Sequence, residues 1–334
     1  MVYVTGATGL IGSFLLLELS GRGKAIRAMK RKDSSVESVK NLFLEFSDLE
    51  SFERIQWVET DLLDIPSLSE TLENVETIYH TAASVGFDDR FRKSIQDVNV
   101  TGTENLVNLA ISAGVKNFAY ISSVAVLDEA PGSNLITEES GWDSQRVHSE
   151  YAISKKKGEM AVWRASQEGL NVVVVHPSVV IGSLDGTRAS EKIFELAGRK
   201  KAYASAGLTG YVDVRDVVYS LAELVERKEF NKAHILTSED KTFVEIFDFL
   251  RSRWKLGKTN VLSERKLKFV RIISQLGRIF GGRYMSKPSY HALTGKSKYS
   301  NNKIKDALGI SFRPVKEALV FHGDRYLKTK SKDK

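Results

Sequence analysis

The sequence predicts an α/β fold in which helices cover both faces of a doubly wound parallel sheet. Short apolar runs alternate with segments whose apolar residues recur at helical spacing, and a glycine-spaced turn joins the first run to the first helix. This alternation is typical of β–α–β units, which require parallel strands. The expected strands are Val2–Thr5, Ala25–Met29, Ile55–Glu59, Thr77–His80, Phe118–Ser122, Val172–His176 and Ala233–Thr237. The expected helices include Leu10–Leu19, Leu68–Leu72, Val98–Ala113 and Tyr151–Glu168.

The regular alternation fades after Gly182, and the chain is therefore predicted to form two parts. A larger domain carries the sheet and comprises residues 1–182 and about 212–240. A smaller C-terminal substrate-binding lobe comprises residues 183–211 and 241–327. We expect the lobe to lie on the carboxyl ends of the strands, where open α/β sheets bind ligands.

The composition limits the chemistry that the chain can carry out. With 334 residues and 42% hydrophobic content, the chain can bury a proper core. It has no cysteine, which excludes disulfides and thiol nucleophiles, and with six histidines as the remaining soft ligands we expect no metal. No stretch approaches the roughly 18 apolar residues that span a bilayer, and the start at Met1 leaves no room for a signal peptide. The expected location is the cytoplasm.

Positive charge is concentrated toward the C-terminus. The net charge is +7, yet Arg251–Lys334 holds 22 Lys and Arg against 5 Asp and Glu, and its last residues, 328–334, form a basic tail that we expect to fray. No nucleic-acid recognition motif accompanies this charge.

Within this basic segment, Arg265–Tyr284 is predicted to be an amphipathic helix. One arc holds Phe269, Ile272, Ile273, Leu276, Ile279 and Phe280, and another holds Lys268, Arg271 and Arg278. A lid helix packed on the substrate lobe is the favoured interpretation. Peripheral contact with an anionic membrane and binding of an anionic substrate are the alternatives.

The first turn of the chain has the spacing of a dinucleotide-binding loop. Gly6, Gly9 and Gly12 stand three residues apart between the first strand and the first helix. This spacing permits a tight turn, brings backbone N–H groups against a pyrophosphate and directs the positive end of the helix at the anion. A glycine pattern alone is weak evidence, and a plain tight turn is the alternative, but here the strand–turn–helix context is present. The sequence therefore predicts a Rossmann-type dinucleotide site.

The end of the second predicted strand indicates which dinucleotide binds. An NAD site usually places an acidic residue there, whereas an NADP site offers an arginine to the 2′-phosphate. This strand ends in the basic run 27–32, and the first acid, Asp33, comes late. NADP (NADPH) is therefore favoured over NAD. Arg31 is the best candidate for the phosphate contact, with Lys30 or Lys32 as helpers, and a solvated basic turn is the alternative.

A second constellation suits proton transfer. Tyr151 and Lys155 stand four residues apart and share one face of a predicted helix. A nearby ammonium favours the phenolate, so we expect Lys155 to lower the pKa of Tyr151. A hydroxyl at the end of the fifth strand, Ser123 or its neighbour Ser122, would reach the same crevice and hydrogen-bond the substrate oxygen. On its own the pair is usually an ordinary helix surface, but the glycine loop makes it a strong signal.

Together these motifs resemble an extended short-chain dehydrogenase/reductase over residues 1–240. The matching segments are the cofactor turn Thr5–Gly12, Asp61-Leu62, His80–Ala83, Asn99–Thr103, Tyr120–Ser123, Tyr151–Lys155 and Tyr211–Asp216. The resemblance implies that Tyr151 is the general acid/base, that Lys155 also holds the nicotinamide ribose and that Ser123 orients the substrate. The cofactor contacts that it implies are Gly6, Thr8, Gly9, Leu10, Ile11, Gly12, Lys30, Arg31, Asp61, Leu62, Thr81, Ala82, Ala83, Tyr151, Lys155, Pro177 and Val179.

Several of these roles have plainer alternatives. Asp61 could cap a helix or turn instead of contacting adenine, and Asn99 could be a polar core residue that only ties elements together. Many relatives pair through helices corresponding to Val98–Ala113 and Tyr151–Glu168, so the resemblance suggests a homodimer.

Two departures separate the chain from the sugar-nucleotide branch of that family. Val179 stands where that branch generally carries an asparagine, and the segment Gly207–Tyr211 lacks the expected arginine. The run Pro177–Gly182 and the segment Ala83–Phe87 are more similar to dihydroflavonol reductases and 3β-hydroxysteroid dehydrogenases. We therefore expect NADP-dependent reduction of a fairly hydrophobic ketone or aldehyde, or oxidation of the alcohol. The alternatives are a nucleotide-sugar epimerase or dehydratase with tightly bound NAD(P), and a non-catalytic NADP-binding sensor.

Overall fold

The computed structural model of the protein describes residues 1–86, 92–130, 132–278 and 285–332. The strands are β1 Val2–Thr5, β2 Ile26–Lys30, β3 Gln56–Glu59, β4 Thr77–His80, β5 Asn117–Ile121, β6 Leu135–Ile136, β7 Asn171–Pro177, β8 Val179–Ile181, β9 Tyr203–Ser205, β10 Leu208–Asp213, β11 Lys232–Leu236, β12 Glu239–Thr242, β13 Asn260–Leu262 and β14 Lys298–Tyr299. The helices are α1 Leu10–Gly21, α2 Glu37–Phe46, α3 Leu49–Glu53, α4 Ile65–Glu70, α5 Arg92–Gln96, α6 Gly102–Ser112, α7 Glu150–Gln167, α8 Lys192–Ala197, α9 Val214–Glu226, α10 Phe243–Arg253, α11 Glu264–Arg278, α12 Lys287–Thr294, α13 Asn302–Leu308 and α14 Val315–Lys332.

A seven-stranded parallel sheet forms the centre of the molecule, in the order β3-β2-β1-β4-β5-β7-β11. This confirms the predicted doubly wound sheet, and each predicted strand is found with ends within one residue of those expected. The strand order reverses direction between β1 and β4. A crevice therefore opens beyond the carboxyl ends of these two strands, which is where such sheets bind ligands.

Both faces of the sheet are covered, because alternate residues of each strand point to opposite sides. On β1, Val2 and Val4 join a cluster with α1, α2 and α9, whereas Tyr3 joins a cluster with α4, α6 and α7. Strands buried on both faces read as nearly continuous apolar runs, which explains why their positions were predictable from the sequence.

The remaining short strands lie outside the central sheet. β10 pairs with β8 in parallel and with β12 in antiparallel, β9 pairs with β13, and β6 pairs with β14. A third apolar cluster, including Phe194, Ile246, Leu250 and Leu319, joins α8, α10 and α14. The division of the chain into a sheet domain and a substrate lobe stays a prediction.

Three helices differ from the sequence-based expectation. α4 begins at Ile65, three residues early, because the Asp64 side chain accepts a hydrogen bond from the Ser67 N–H and a proline occupies the first turn. The segment predicted as one helix from Val98 opens with a π-helical turn, Asp97–Thr101, before α6. α14 continues to Lys332 instead of fraying after Leu327. Among the described residues, every helix is too short or too polar to pass through a bilayer.

Gly158 permits a close approach of α7 to the π-helical turn. A Cβ at this position would lie 2.5 Å from the carbonyl oxygen of Asn99 and 2.7 Å from the hydroxyl oxygen of Tyr120. The backbone of α7 can therefore rest on β5 and on the turn before α6 only while residue 158 has no side chain.

We predict that Gly158→Ala destabilises the fold by about 1–3 kcal/mol, because the added methyl must push α7 away from Asn99 and Tyr120. Gly21→Ala is the matched control, since Gly21 also lies in a helix but a Cβ there meets nothing within 4 Å. The free energy of unfolding, measured by urea titration followed by circular dichroism, should be nearly unchanged in the control. Equal unfolding midpoints for both variants would refute the close-approach argument.

Candidate active site

The glycine loop between β1 and α1 is held in shape by backbone contacts that leave no room for side chains. Gly6 has φ +65°, and a Cβ there would lie 2.6 Å from Cα of Ala82, which follows β4. A Cβ on Gly12 would overlap the carbonyl oxygen of Gly6. The N–H of Gly9 donates to that same carbonyl at 2.9 Å, which closes the turn. The loop therefore needs glycine at positions 6 and 12.

The N-terminus of α1 offers free hydrogen-bond donors at this loop. The N-cap is Gly9, which has no side chain that could cap the first N–H groups. The first turn of α1 also contains no acidic residue. The first N–H groups of a helix have no partner within the helix, and the helix dipole places positive charge there. A cradle of backbone N–H groups without competing side chains fits the diphosphate of a dinucleotide.

A buried chain of hydrogen bonds connects the loop to α6. Nδ1 of His80 lies 2.6 Å from Oγ1 of Thr5, and Nε2 lies 2.9 Å from Oγ1 of Thr103, whose hydroxyl donates to the carbonyl of Asn99. Because the Thr103 hydroxyl donates its one hydrogen to the carbonyl of Asn99, it can only accept from Nε2 of His80. Nε2 therefore carries the hydrogen, and Nδ1 accepts from the Thr5 hydroxyl. Burial lowers the pKa of His80 to about 3, so the imidazole is neutral.

Tyr151 lies in the first turn of α7, two residues after the Ser149 N-cap. Burial raises the pKa of Tyr151 above its ordinary value, while a hydrogen bond with the Ser123 side chain acts in the opposite direction. The expected lowering of the Tyr151 pKa by Lys155 is therefore wrong for this arrangement. At neutral pH the group is a phenol, which can donate a proton.

Lys155 lies one turn further along α7 and is 2% exposed. Its Nζ stands 4.1 Å from the centroid of the Tyr120 ring, which is within the range of a cation–π contact. Burial lowers the pKa of Lys155 to about 7, against the effect of the Glu159 carboxylate, which favours the ammonium. Both protonation states of Lys155 are therefore accessible near neutral pH.

The two serines after β5 have different partners. The Ser122 hydroxyl donates to Oε2 of Glu159 at 2.5 Å, so its hydrogen is committed within the core. Ser123 instead interacts with the side chain of Tyr151 and accepts a hydrogen bond from the Ala125 N–H at 3.2 Å. The contact with Tyr151 favours Ser123 as the hydroxyl that works beside it, whereas Ser122 is the serine that lines the cavity.

Asn99 has all its amide hydrogen atoms engaged. Its Nδ2 donates to the carbonyl of Ser84 and to Oγ of Ser154, both at 2.9 Å, and its Oδ1 accepts from the Ser84 N–H at 2.7 Å. The residue is fully buried. Asn99 therefore ties the segment after β4 to α7, which agrees with the structural alternative considered for it.

A cavity of about 770 Å³ joins the glycine loop, the Tyr151–Lys155 face and the C-terminal part of the chain. The predicted site residues that line it are Gly6, Gly9, Leu10, Ile11, Gly12, Thr81, Ala83, Tyr151, Lys155 and Val179. The predicted residues that are not part of this lining are Thr8, Lys30, Arg31, Asp61, Leu62, Ala82, Ser123 and Pro177.

Some of the residues outside the cavity have other tasks. Pro177 is buried at the end of β7, and Ser178 lines the cavity in its place. Ala82 backs Gly6, and the Leu62 side chain lies close against the backbone of Gly102.

At the basic end of β2, Arg31 and Lys30 differ in whether their side chains are committed. Lys30 pairs with Glu59, with 2.8 Å between Nζ and Oε2, so its charge is already engaged. Arg31 is exposed, and among the described residues its side chain makes no hydrogen bond or ion pair. Asp61 accepts a hydrogen bond from the Leu63 N–H at 2.9 Å, which is a local turn contact and leaves its second oxygen free.

The predicted lobe contributes residues between 188 and 293 to the cavity, but its individual lining residues were not predicted. This part of the cavity is mainly apolar, with Ile193, Leu196, Phe243, Phe247, Leu267 and Val270 among its lining residues. These positions come from separate helices and share no local motif, so no sequence signal marks them. Arg188 also lines the cavity and pairs with Asp185, with 2.8 Å between NH2 and Oδ2.

Comparison with known proteins gives this geometry a context. A sequence model of the NAD dependent epimerase/dehydratase family matches residues 2–234. Cinnamoyl-CoA reductase 1 of Oryza sativa subsp. japonica is 28% identical over 96% of this chain and 88% of the relative. Sterol demethylase protein B of Methylococcus capsulatus is 31% identical over 74% of this chain and 72% of the relative. The crystal structure of gox2253 has a TM-score of 0.81 and 25% identity, covering 99% of this chain and 98% of its own.

Proposed function

The chain belongs to the NAD dependent epimerase/dehydratase family as an NAD(P)-dependent oxidoreductase of the extended short-chain dehydrogenase/reductase type, and we propose that it reduces a ketone or aldehyde of a small hydrophobic substrate with NADPH. The reverse reaction oxidises the alcohol. One observation carries the proposal: the cavity that begins at the glycine loop passes Tyr151 and Lys155 and ends among apolar side chains. A carbonyl held at Tyr151 would thus have its hydrophobic body in the lobe.

The residues divide the chemistry as follows. A bound nicotinamide supplies a hydride to the carbonyl carbon. Tyr151 would give its phenolic proton to the carbonyl oxygen and become a phenolate, so that the π bond of C=O is replaced by one C–H and one O–H bond while the C–O single bond remains. Ser123 would hold that oxygen as it gains charge. The raised pKa of Tyr151 keeps the proton on the phenol at neutral pH, which suits the direction of reduction.

The cofactor is proposed to lie across the crevice. The N–H groups of the first turn of α1 hold the diphosphate, and Lys155 holds the nicotinamide ribose. The uncommitted guanidinium of Arg31 receives the 2′-phosphate, which favours NADPH over NADH. Asp61 and Leu62 lie toward the adenine, and Thr81 and Ala83 lie beneath the cofactor. These assignments rest on the loop geometry together with the family resemblance.

The nucleotide-sugar alternative has less support from the lining residues. Val179 is 39% exposed and lines the cavity, so the position where sugar-nucleotide enzymes generally carry an asparagine offers no hydrogen bond here. Two similar proteins are named for a cinnamoyl-CoA and for a sterol, both with hydrophobic parts. The cofactor separates the two functions in solution, since a reductase consumes NADPH in proportion to substrate and an epimerase regenerates its bound nicotinamide.

α11 is proposed to act as a lid with an outer surface for anionic membranes. Leu267 and Val270 line the cavity, as the lid interpretation expects. Phe269 and Ile272 are 64% and 50% exposed, and they lie three residues apart on a helix that also exposes Arg265, Lys266 and Lys268. Apolar and basic side chains on one exposed surface are typical of contact with anionic lipid. The side chains of Ile273 and of residues 275–284 lie outside the described part of the chain.

Two further expectations stay predictions. Pairing of two copies through α6 and α7 rests on the family resemblance alone. The cytoplasmic location is likewise untested.

We expect Tyr151→Phe to lower the turnover of carbonyl substrates by about 10²–10⁴-fold, because the variant has no proton to donate. Its affinity for NADPH should change little, since the ring remains in place. NADPH absorbance against a carbonyl panel and fluorescence titration measure the two quantities. Tyr219→Phe on α9 serves as the control for loss of a tyrosine hydroxyl away from the cavity. Retained turnover in Tyr151→Phe would contradict the role of Tyr151 as the proton donor.

We expect Arg31→Ala to weaken NADPH binding about 10–100-fold and NADH binding far less, because a charge-assisted contact to the 2′-phosphate contributes about 1.5–3 kcal/mol. Arg54→Ala removes an equal charge from an exposed arginine paired with Glu50, and it should leave the preference unchanged. Dissociation constants for both dinucleotides decide the matter. Equal losses for NADPH and NADH would overturn the assignment of Arg31.

Sedimentation with phosphatidylserine-containing vesicles tests the outer surface of α11. The protein should bind at low salt, and exchange of Phe269 and Ile272 for serine should release it, because the apolar contact is lost. Leu44→Ser removes a comparably exposed side chain (53%) from α2 and should leave binding intact. Absence of binding to these vesicles at low salt contradicts the membrane proposal.

A further inference from the structure

A buried carboxylate lies beneath the Tyr151–Lys155 pair. Glu159 follows Lys155 by four residues and Tyr151 by eight, so all three project from one face of α7. Glu159 is 4% exposed. Three donors surround it: the Ser122 hydroxyl at 2.5 Å, Nε2 of His176 at 2.8 Å and Nε1 of Trp163 at 3.1 Å.

These donors keep Glu159 ionised. Burial raises the pKa of the carboxyl, but the hydrogen bonds from His176, Ser122 and Trp163 outweigh that effect, and the pKa lies at about 2. A carboxylate accepts hydrogen bonds only, so Nε2 of His176 must carry a hydrogen. The Glu159 carboxyl therefore stays ionised at every pH where the enzyme would work.

Among the residues that the structure describes, the other groups that face Lys155 bring no compensating anion. The Tyr120 ring of β5 lies under the ammonium, and Tyr151 on α7 is a phenol. His80 on β4 is neutral, and its pKa lies at about 3. The Glu159 carboxylate favours the ammonium form of Lys155, against a burial effect that favours the neutral amine. The protonation of Lys155 thus depends on a residue that does not line the cavity.

We propose that Glu159 is a positioning residue that keeps Lys155 protonated near neutral pH and so sets the upper end of the pH range in which the enzyme holds its cofactor. The proposal rests on the role assigned above to Lys155, in which the ammonium holds the nicotinamide ribose. The same carboxylate also joins three elements, because Ser122 follows β5 and His176 belongs to β7. A purely structural role is therefore the competing explanation, and the experiment must separate the two.

The test is the dissociation constant of NADPH between about pH 5.5 and about pH 9.5, read from the fluorescence of the bound nicotinamide. In the wild type, affinity should fall as pH rises through the pKa of Lys155, because the ammonium is lost. In Glu159→Gln the anion is gone, the pKa of Lys155 falls, and the midpoint should move down by about one pH unit or more. For a shift of one pH unit, this corresponds to a loss of about fivefold in affinity at neutral pH and about tenfold at higher pH, with equal affinities at the acidic end.

Glu168→Gln is the matched control, since it removes the same charge from the exposed end of α7 and should leave the midpoint in place. An unchanged midpoint in Glu159→Gln overturns the proposal. A uniform loss of affinity at every pH also overturns it, because that result indicates a structural role. If Glu159→Gln does not fold, the double variant Glu159→Leu/His176→Leu carries the same comparison, since an apolar pair avoids an unpaired buried charge.

The outcome is separable from that of the proposed function. A shifted midpoint in a protein that turns over no carbonyl substrate supports the role of Glu159 and refutes the reductase. Turnover of NADPH with a carbonyl substrate and an unshifted midpoint supports the reductase and refutes the role of Glu159.

Discussion

The close approach of the β1–α1 turn to the end of β4 is the constraint on which the rest of the site depends. Gly6 adopts φ +65° against the backbone of Ala82, and Gly12 lies against the carbonyl of Gly6. With no side chains between these backbones, the N-terminus of α1 points into the crevice at the point where the strand order reverses. The shape of the loop and the position of the cavity beside it follow from this packing.

α7 carries the residues to which the proposed proton transfer is assigned. One face of this helix carries Tyr151, which is the proposed proton donor, the buried amine of Lys155 and the buried carboxylate of Glu159, each one turn apart. Gly158 allows this helix to rest on β5 and on the turn before α6. Burial raises the pKa of Tyr151 and lowers the pKa of Lys155. One helix can therefore offer a phenol and an ammonium near neutral pH.

The sequence predicted the sheet, the glycine loop and the resemblance to the extended short-chain dehydrogenases/reductases, all of which the structure and the comparisons confirm. These features depend on local periodicity and spacing, which a sequence displays directly. The direction of the Tyr151 pKa was wrong, because burial and the position of the Lys155 amine over Tyr120 are tertiary properties. The apolar lining from α8, α10 and α11 was missed for the same reason, since those side chains meet only after folding. Glu159 did have a signal, the four-residue step beyond Lys155, but its partners Ser122 and His176 lie on other strands.

The hydrogen-bonded chain from Thr5 through His80 and Thr103 to Asn99 has a consequence for how the site responds to acid. The direction of these hydrogen bonds is fixed, because Thr5, His80 and Thr103 each donate one hydrogen to the next group. With a pKa of about 3, the His80 imidazole does not take up a second proton near neutral pH. This chain of residues between the glycine loop and α6 therefore carries no charge that changes near neutral pH. Among the described residues that line the cavity, Lys155 has its pKa at about 7, so α7 carries the change of charge expected near neutral pH.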